Sequence, residues 1–275
     1  MPEIAEVETV RKTLLTKILN KKIKKIDILY KKIVQNDSKE FQNKLTSESF
    51  INILRKGKWL IFETNNYYLL SHLRMEGKYF IKDSKDEVEK HEHLIIYFED
   101  NSTLRYHDTR KFGRLKLINK DELDNAKEIT KQGYEPNTKE LTKEYLYKKI
   151  HKKNKNIKTL LLDQSIISGL GNIYANEVLF ESSINPYQIG KNLTLNDCQR
   201  IVESTNKIIK KAIEMGGTTI KSYTSSLGVT GRFQQELKAH KRENLKCFNC
   251  NNLIVKEKIN GRSAYFCPKC QRLDN

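Results

Sequence analysis

The chain has 275 residues, enough at about 150 residues per domain for two domains and a small appendage. Lys and Arg number 51 against 34 Asp and Glu, a formal net charge of +17, while 13 Tyr and 10 Phe spread along the chain exclude a disordered polymer. This charge disfavours cationic ligands and favours nucleic acid or an anionic membrane surface, with a merely solvated Lys-rich surface as the plainer alternative.

Residues 3–19 read as a helix, because Ile4, Val7, Val10, Leu14, Leu15 and Ile18 recur at three- and four-residue spacing. Pro2 suits its first position, and the glutamates complement the positive end of its dipole. Glu3, Glu6 and Glu8 stand where a signal peptide would carry Lys or Arg, and no apolar run approaches the ~18 residues of a membrane span, so the expectation is a cytoplasmic protein with no membrane partner. From residue 22 to about 118 the pattern is strand-like. Ile23–Leu29 alternates, Trp59–Glu63 and Tyr67–His72 flank an Asn65-Asn66 turn, and Leu94–Phe98, Thr103–His107 and Leu115–Ile118 follow. A helix and then antiparallel strands predict a β-sandwich with a helix on it.

Residues 119–141 are polar and read as a linker. Helices are predicted over Lys143–His151, Ile157–Gln164, Ile173–Glu181 and Leu195–Met215, the last ended by Gly216-Gly217. Residues 217–233 show no clean period and read as a long mobile loop, of a length that is usually functional or disordered.

Four of the five cysteines form two CxxC pairs, Cys247 with Cys250 and Cys267 with Cys270. Two such pairs supply four soft ligands to a tetrahedral Zn²⁺ that has no open position, so one structural zinc is expected. Phe248, Tyr265 and Phe266 are expected beside the metal. Arg262 lies on the hairpin between the pairs, where it suits either a phosphate contact or plain solvation. Cys198, in a helical stretch, reads as a small buried hydrophobe.

The amino terminus allows a chemical reading. Removal of Met1 would leave Pro2 with a free secondary amine, which attacks a sugar C1′ to give a permanently charged iminium. An α-amino group with a pKa near 7.7–8.0 is partly neutral near pH 7. Glu3 beside it is placed for acid–base work.

The stretches PEIAEVETVR at 2–11, GKW at 57–59, HLRMEGKY at 72–79, HDTRKFGRL at 107–115 and IKTLLLDQSIISGLGNIYANEVLF at 157–180 resemble formamidopyrimidine-DNA glycosylase, the bacterial 8-oxoguanine DNA glycosylase/AP lyase family. GGTT at 216–219 and the CFNC and FCPKCQR module follow in that family's order. The resemblance implies an α+β multidomain chain: a catalytic β-sandwich domain with a leading helix over 1–131, a helix–two-turn–helix domain over 132–236 and a zinc finger over 237–275. It implies a bifunctional glycosylase/AP lyase that excises oxidised purines from damaged double-stranded DNA in base excision repair, acting as a monomer at the nucleoid.

By the same resemblance Pro2 is the nucleophile, Glu3 the general acid and Glu6 part of the same acidic cluster. Lys58 meets the DNA backbone near the lesion. Met75, Arg110 and Phe112 fill the gap left by the extruded base, where apolar wedges offset an unstacking cost of a few kcal/mol. His93, Lys158, Asn172 and Arg262 are further DNA contacts. Asn172 also reads as an ordinary N-cap, and Met75 and Phe112 as ordinary core. The loop at 217–233 would close over the everted base. Two departures stand out: Ala5 where Pro is usual, and AHKRENLKC in place of the Tyr-Gly-Arg and Gly-x-Pro-Cys pattern. A related endonuclease-VIII-like activity on oxidised pyrimidines and a non-catalytic zinc-containing nucleic-acid-binding protein are the alternatives.

Overall fold

The computed structural model describes residues 1–218 and 231–273, so most of the expected loop at 217–233 lies outside the described residues. The chain forms two compact units, one of Met1–Thr130 with Thr218–Gly231 and one of Lys131–Gly217 with Arg232–Asn275.

The first unit opens with α1 (Ile4–Ile18), which buries Val7, Val10, Leu14 and Ile18. Its N-cap is Glu3, so Pro2 precedes the cap and is not the first helical residue. Eight strands follow: β1 (Ile23–Ile28), β2 (Asn52–Lys56), β3 (Trp59–Glu63), β4 (Tyr67–His72), β5 (Lys78–Asp83), β6 (Glu92–Phe98), β7 (Ser102–His107) and β8 (Arg114–Asn119). They form two antiparallel four-stranded sheets, ordered β1-β6-β7-β5 and β2-β3-β4-β8. The core joins the inner faces of both with α1, through Phe41, Phe50, Phe62, Leu73, Tyr79, Phe98, Tyr106 and Leu115. A second helix, α2 (Ser38–Leu45), was not expected; Asp37 caps it, and Phe41 and Leu45 are its only buried residues.

Register places the loops. His72 pairs with Arg114 across β4 and β8, Lys78 pairs with His107 across β5 and β7, and Trp59 pairs with His72 across β3 and β4. The 73–77 and 108–113 crossovers between the sheets and the Gly57-Lys58 turn therefore gather at one end of the sandwich. Residues 120–125 form a 3-10 turn, and Lys127–Thr130 a short helix α3, within the stretch read as a linker.

The second unit holds α4 (Lys143–Ile150), α5 (Ile157–Leu161), α6 (Asn172–Glu181) and α7 (Leu195–Glu214). Helix α5 ends earlier than its periodicity suggested, because Leu162 already turns out of it and Asp163 N–H bonds Leu160 O. Gly216 and Gly217 close α7 as expected, their N–H groups bonding Ile213 and Ala212 carbonyls. Cys198 is buried within α7. The chain ends in a hairpin of β9 (Val255–Ile259) and β10 (Arg262–Phe266). Glu177 on α6 accepts the backbone N–H of Lys238, Ala239 and His240, which fastens the segment leading into the cysteine module. Burial pushes the Glu177 carboxyl upward, and these three donors oppose that shift. Among the described residues no helix is long and apolar enough to cross a membrane.

Candidate active site and nucleic-acid interface

In the first unit Pro2, Glu3 and Glu6 are all buried at the start of α1. Glu6 Oε2 accepts the Glu3 backbone N–H at 2.8 Å, while its Oε1 accepts the N–H and hydroxyl of Thr218 at 2.7 and 2.9 Å. Burial holds the terminal amine, carried by Met1, below its ordinary value of 8.0; the carboxylates of Glu3 and Glu6 act the other way, and Lys58 lowers it further. A lowered amine pKa leaves more of the neutral, nucleophilic form near pH 7. Lys58 is itself buried in the β2–β3 turn. The start of α1 is held to β2 by Glu8, which bonds both Arg11 and Arg55.

Met75 and Phe112 are surface residues, 36% and 52% exposed, so the reading of them as core does not hold. Arg110 is also exposed, and its guanidinium lies 4.9 Å from the Phe112 ring. The loop that carries this pair is built on Asp108, a residue sequence reasoning passed over. Its carboxylate is fully buried and accepts the N–H groups of Arg110, Phe112 and Gly113 at 3.0, 2.9 and 2.8 Å. The available signal was a lone acidic residue opening a short loop that closes on glycine. His72, also missed, accepts the Arg74 N–H on Nδ1 at 3.0 Å and so supports a left-handed Arg74, φ 54°, just ahead of Met75. Burial, followed by the charges of Arg74, Lys58 and Arg114, lowers the His72 pKa to about 3, so this acceptor stays neutral.

His93 departs from its expected place. It is 3% exposed, and its Nε2 meets the Asp108 carbonyl at 2.8 Å. It braces the loop of Arg110 and presents little surface to a phosphate.

In the second unit Lys158 departs further. It is 0% exposed, and its ammonium donates to Asn176 Oδ1 on α6 and to the Ser263 carbonyl on β10. A buried ammonium with carbonyl-type acceptors is a structural tie and is not free to take a phosphate. Its partner Ser263 is the residue after Arg262, and its partner Asn176 lies one helical turn beyond Asn172. Arg262 is exposed at the hairpin turn, which Asn260 secures to Thr159 at 2.8 Å. Asn172 is the first residue inside α6 and not its cap; the cap is Gly171. The Asn172 Oδ1 is buried and has no hydrogen-bond partner among the described residues.

The four cysteine sulfurs lie within 4.8 Å of one another. Cys247 to Cys270 is 3.9 Å and Cys250 to Cys267 is 3.4 Å. A tetrahedral ion with sulfur at about 2.3 Å spaces its ligands about 3.8 Å apart. Backbone N–H groups of Asn249 and Cys270 point at sulfurs, as thiolate ligands require. These residues fit zinc. Tyr265 packs with the cysteines as expected, whereas Phe266 sits in a separate cluster with Ile259 and Ala264, and Phe248 is largely exposed beneath Arg242.

Residues 1–115 match the formamidopyrimidine-DNA glycosylase N-terminal domain, 132–224 its H2TH domain, and 244–273 the zinc finger found in FPG and IleRS. A formamidopyrimidine-DNA glycosylase of Mycoplasma pneumoniae is 43% identical, covering 98% of this chain and 99% of that one. The Lactococcus lactis Fpg bound to DNA with an abasic site is 38% identical, with a TM-score of 0.93 over 98% of this chain and 99% of that one. A complex of the wild-type Lactococcus lactis Fpg with DNA containing an oxidised pyrimidine matches at 38% identity and a TM-score of 0.93, over 98% of this chain and 100% of that one.

A sandwich with an acidic, buried amino terminus, joined in one chain to a helical unit and a four-cysteine hairpin, defines a zinc-finger DNA glycosylase. The chain belongs to the formamidopyrimidine-DNA glycosylase family.

Proposed function

We propose that this chain excises oxidised purines, 8-oxoguanine and formamidopyrimidines, from double-stranded DNA in the cytoplasm, at the nucleoid, and then cuts the strand. The observation that carries this reading is that Pro2 lies buried at the start of α1 with the buried Glu3 and Glu6, while Lys58 is buried in the β2–β3 turn. With Met1 removed, Pro2 nitrogen bonds to C1′ as the damaged base departs with its electron pair and takes up a proton. Glu3 supplies a proton to the opening sugar ring. Loss of a C2′ proton then expels the 3′ phosphate, a second elimination expels the 5′ phosphate, and water releases the sugar fragment from Pro2.

Lys58 neutralises a phosphate beside the lesion. Met75, Arg110 and Phe112 occupy the vacancy, Arg110 donating to the orphaned cytosine. Arg262 and the start of α6 with Asn172 grip phosphates. Four thiolates hold one structural zinc that shapes the hairpin presenting Arg262. The enzyme acts as a monomer, with a catalytic domain over 1–131, a helix–two-turn–helix domain over 132–236 and a finger over 237–275.

Activity on oxidised pyrimidines is the second reading, favoured by the Lactococcus relative's complex with such a lesion. Duplexes with 8-oxoguanine opposite cytosine and with thymine glycol separate the two. Faster release of 8-oxoguanine, with a covalent adduct on adding borohydride, is the expected result. Release of thymine glycol alone, or no adduct, overturns the first reading.

A further inference from the structure

Tyr106 is the penultimate residue of β7 and lies fully buried between the sheets. Its neighbours across the ladder are Tyr79 on β5 and Leu94 on β6. Two glycines from different crossovers close on its hydroxyl end. A Cβ added at Gly113 would overlap Tyr106 Oη and stand 2.7 Å from Cζ and 3.1 Å from Cε1. A Cβ added at Gly77 would overlap the same oxygen, 2.9 Å from Cζ and 2.6 Å from the Leu73 carbonyl oxygen. Gly77 ends the loop that carries Met75, and Gly113 ends the loop that carries Arg110 and Phe112. The Thr109 hydroxyl also donates to the Glu76 carboxylate, a second link between the same two loops.

We infer that Tyr106 is a positioning residue, a single seat that fixes the two loops relative to each other so that Met75 enters the DNA vacancy together with Arg110 and Phe112. The inference rests on the void-filling role proposed above. Close packing leaves no slack under either glycine, so a shift of one loop is transmitted through the ring to the other. Loops linked this way insert as one wedge, and insertion limits excision from paired duplex but not sugar chemistry on an unpaired strand.

The test compares Tyr106→Phe, Gly113→Ala, Tyr106→Leu and the Gly113→Ala/Tyr106→Leu pair in the full-length zinc-loaded protein. Excision of 8-oxoguanine opposite cytosine and the fluorescence of 2-aminopurine next to the lesion report wedge insertion. Strand cleavage at an abasic site in single-stranded DNA reports sugar chemistry. Tyr106→Phe and Gly113→Ala are each expected to slow duplex excision about tenfold and to weaken the 2-aminopurine signal, with single-strand cleavage within about twofold of the parent.

All three nearest atoms to the Gly113 position belong to Tyr106, so Tyr106→Leu in the Gly113→Ala background is expected to restore part of the loss. Equal loss of both activities in Tyr106→Phe, unchanged duplex excision, or independent multiplication of the two defects overturns the inference. Met75→Ala is run alongside. If it leaves duplex excision and the fluorescence untouched, the void-filling role itself is wrong and the seat has nothing to position. If it impairs both while Tyr106→Phe impairs neither, only the seat fails.

Discussion

The Glu6 carboxylate accepts the backbone N–H of Glu3 at 2.8 Å with one oxygen and is fully engaged with Thr218 on the other. Glu6 therefore fixes the first turn of α1, and with it the residue that precedes the cap. A glutamine keeps one acceptor oxygen and turns the other position into a donor facing an N–H. Glu6→Gln is expected to slow single-turnover excision about 10- to 100-fold, with DNA binding changed far less. Glu3→Gln, which removes the proposed proton donor, is expected to slow ring opening by at least as much. Equal rates for Glu6→Gln and the parent enzyme contradict this role.

Lys158 and Arg262 separate structure from phosphate contact. Lys158→Met takes the ammonium donor from the Ser263 carbonyl and leaves Asn176 Oδ1 only the Tyr265 N–H, and is expected to cost about 2 kcal/mol of stability while leaving the salt dependence of DNA affinity unchanged. Arg262→Ala is expected to leave melting unchanged and to flatten the log–log salt slope by about 0.9. Denaturant titration and binding across 50–200 mM salt check both. A flattened slope for Lys158→Met returns it to the DNA surface.

Much of the sandwich was legible because its strands announce themselves. Trp59–Glu63 and Tyr67–His72 match β3 and β4 at both ends, since a dense apolar run is cut by two asparagines. Strand β5 escaped notice because only Tyr79 is buried in it, and α2 because its eight residues bury only Phe41 and Leu45. Lys158 was misread for a different reason. Lysine is ordinarily a surface residue, and its partners Asn176 and Ser263 lie 18 and 105 positions away. Asp108 and His72 work through backbone N–H groups of loops, a role that periodicity does not encode.

Acid is expected to destabilise the first unit through His72. Its folded pKa of about 3 lies below the ordinary 6.5, so the unfolded chain takes up a proton first. The contribution is fully present above pH 6.5 and is lost as pH falls toward 3. Between pH 7 and 5 the melting temperature is expected to drop by several degrees, and by less in His72→Asn. Parallel pH profiles for the two proteins contradict the assignment.

Lys241 and Asn244 adopt left-handed backbone, φ 59° and 61°, inside the segment that departs from the family's glycine-bearing pattern. A left-handed non-glycine residue costs about 1–2 kcal/mol. Lys241→Gly is expected to raise stability by about 0.5–1 kcal/mol after the greater freedom of an unfolded glycine is subtracted. Denaturant midpoints read the change, and a loss of stability refutes it.

Zinc removal is expected to act locally. The cysteines pack with Phe180, Ala239, Ile254 and Tyr265 in a cluster apart from the sandwich core. Chelation is expected to abolish DNA binding at temperatures where the first unit keeps its β-sheet circular dichroism. Retained binding in metal-free protein excludes the finger from the interface.

The most direct measurement is tandem mass spectrometry of the borohydride-reduced adduct with 8-oxoguanine DNA. The account predicts a sugar remnant on the nitrogen of a peptide that begins at Pro2, with Met1 gone. A remnant on Lys58 or any other lysine, or no remnant on protein whose first residue is Pro2, contradicts it.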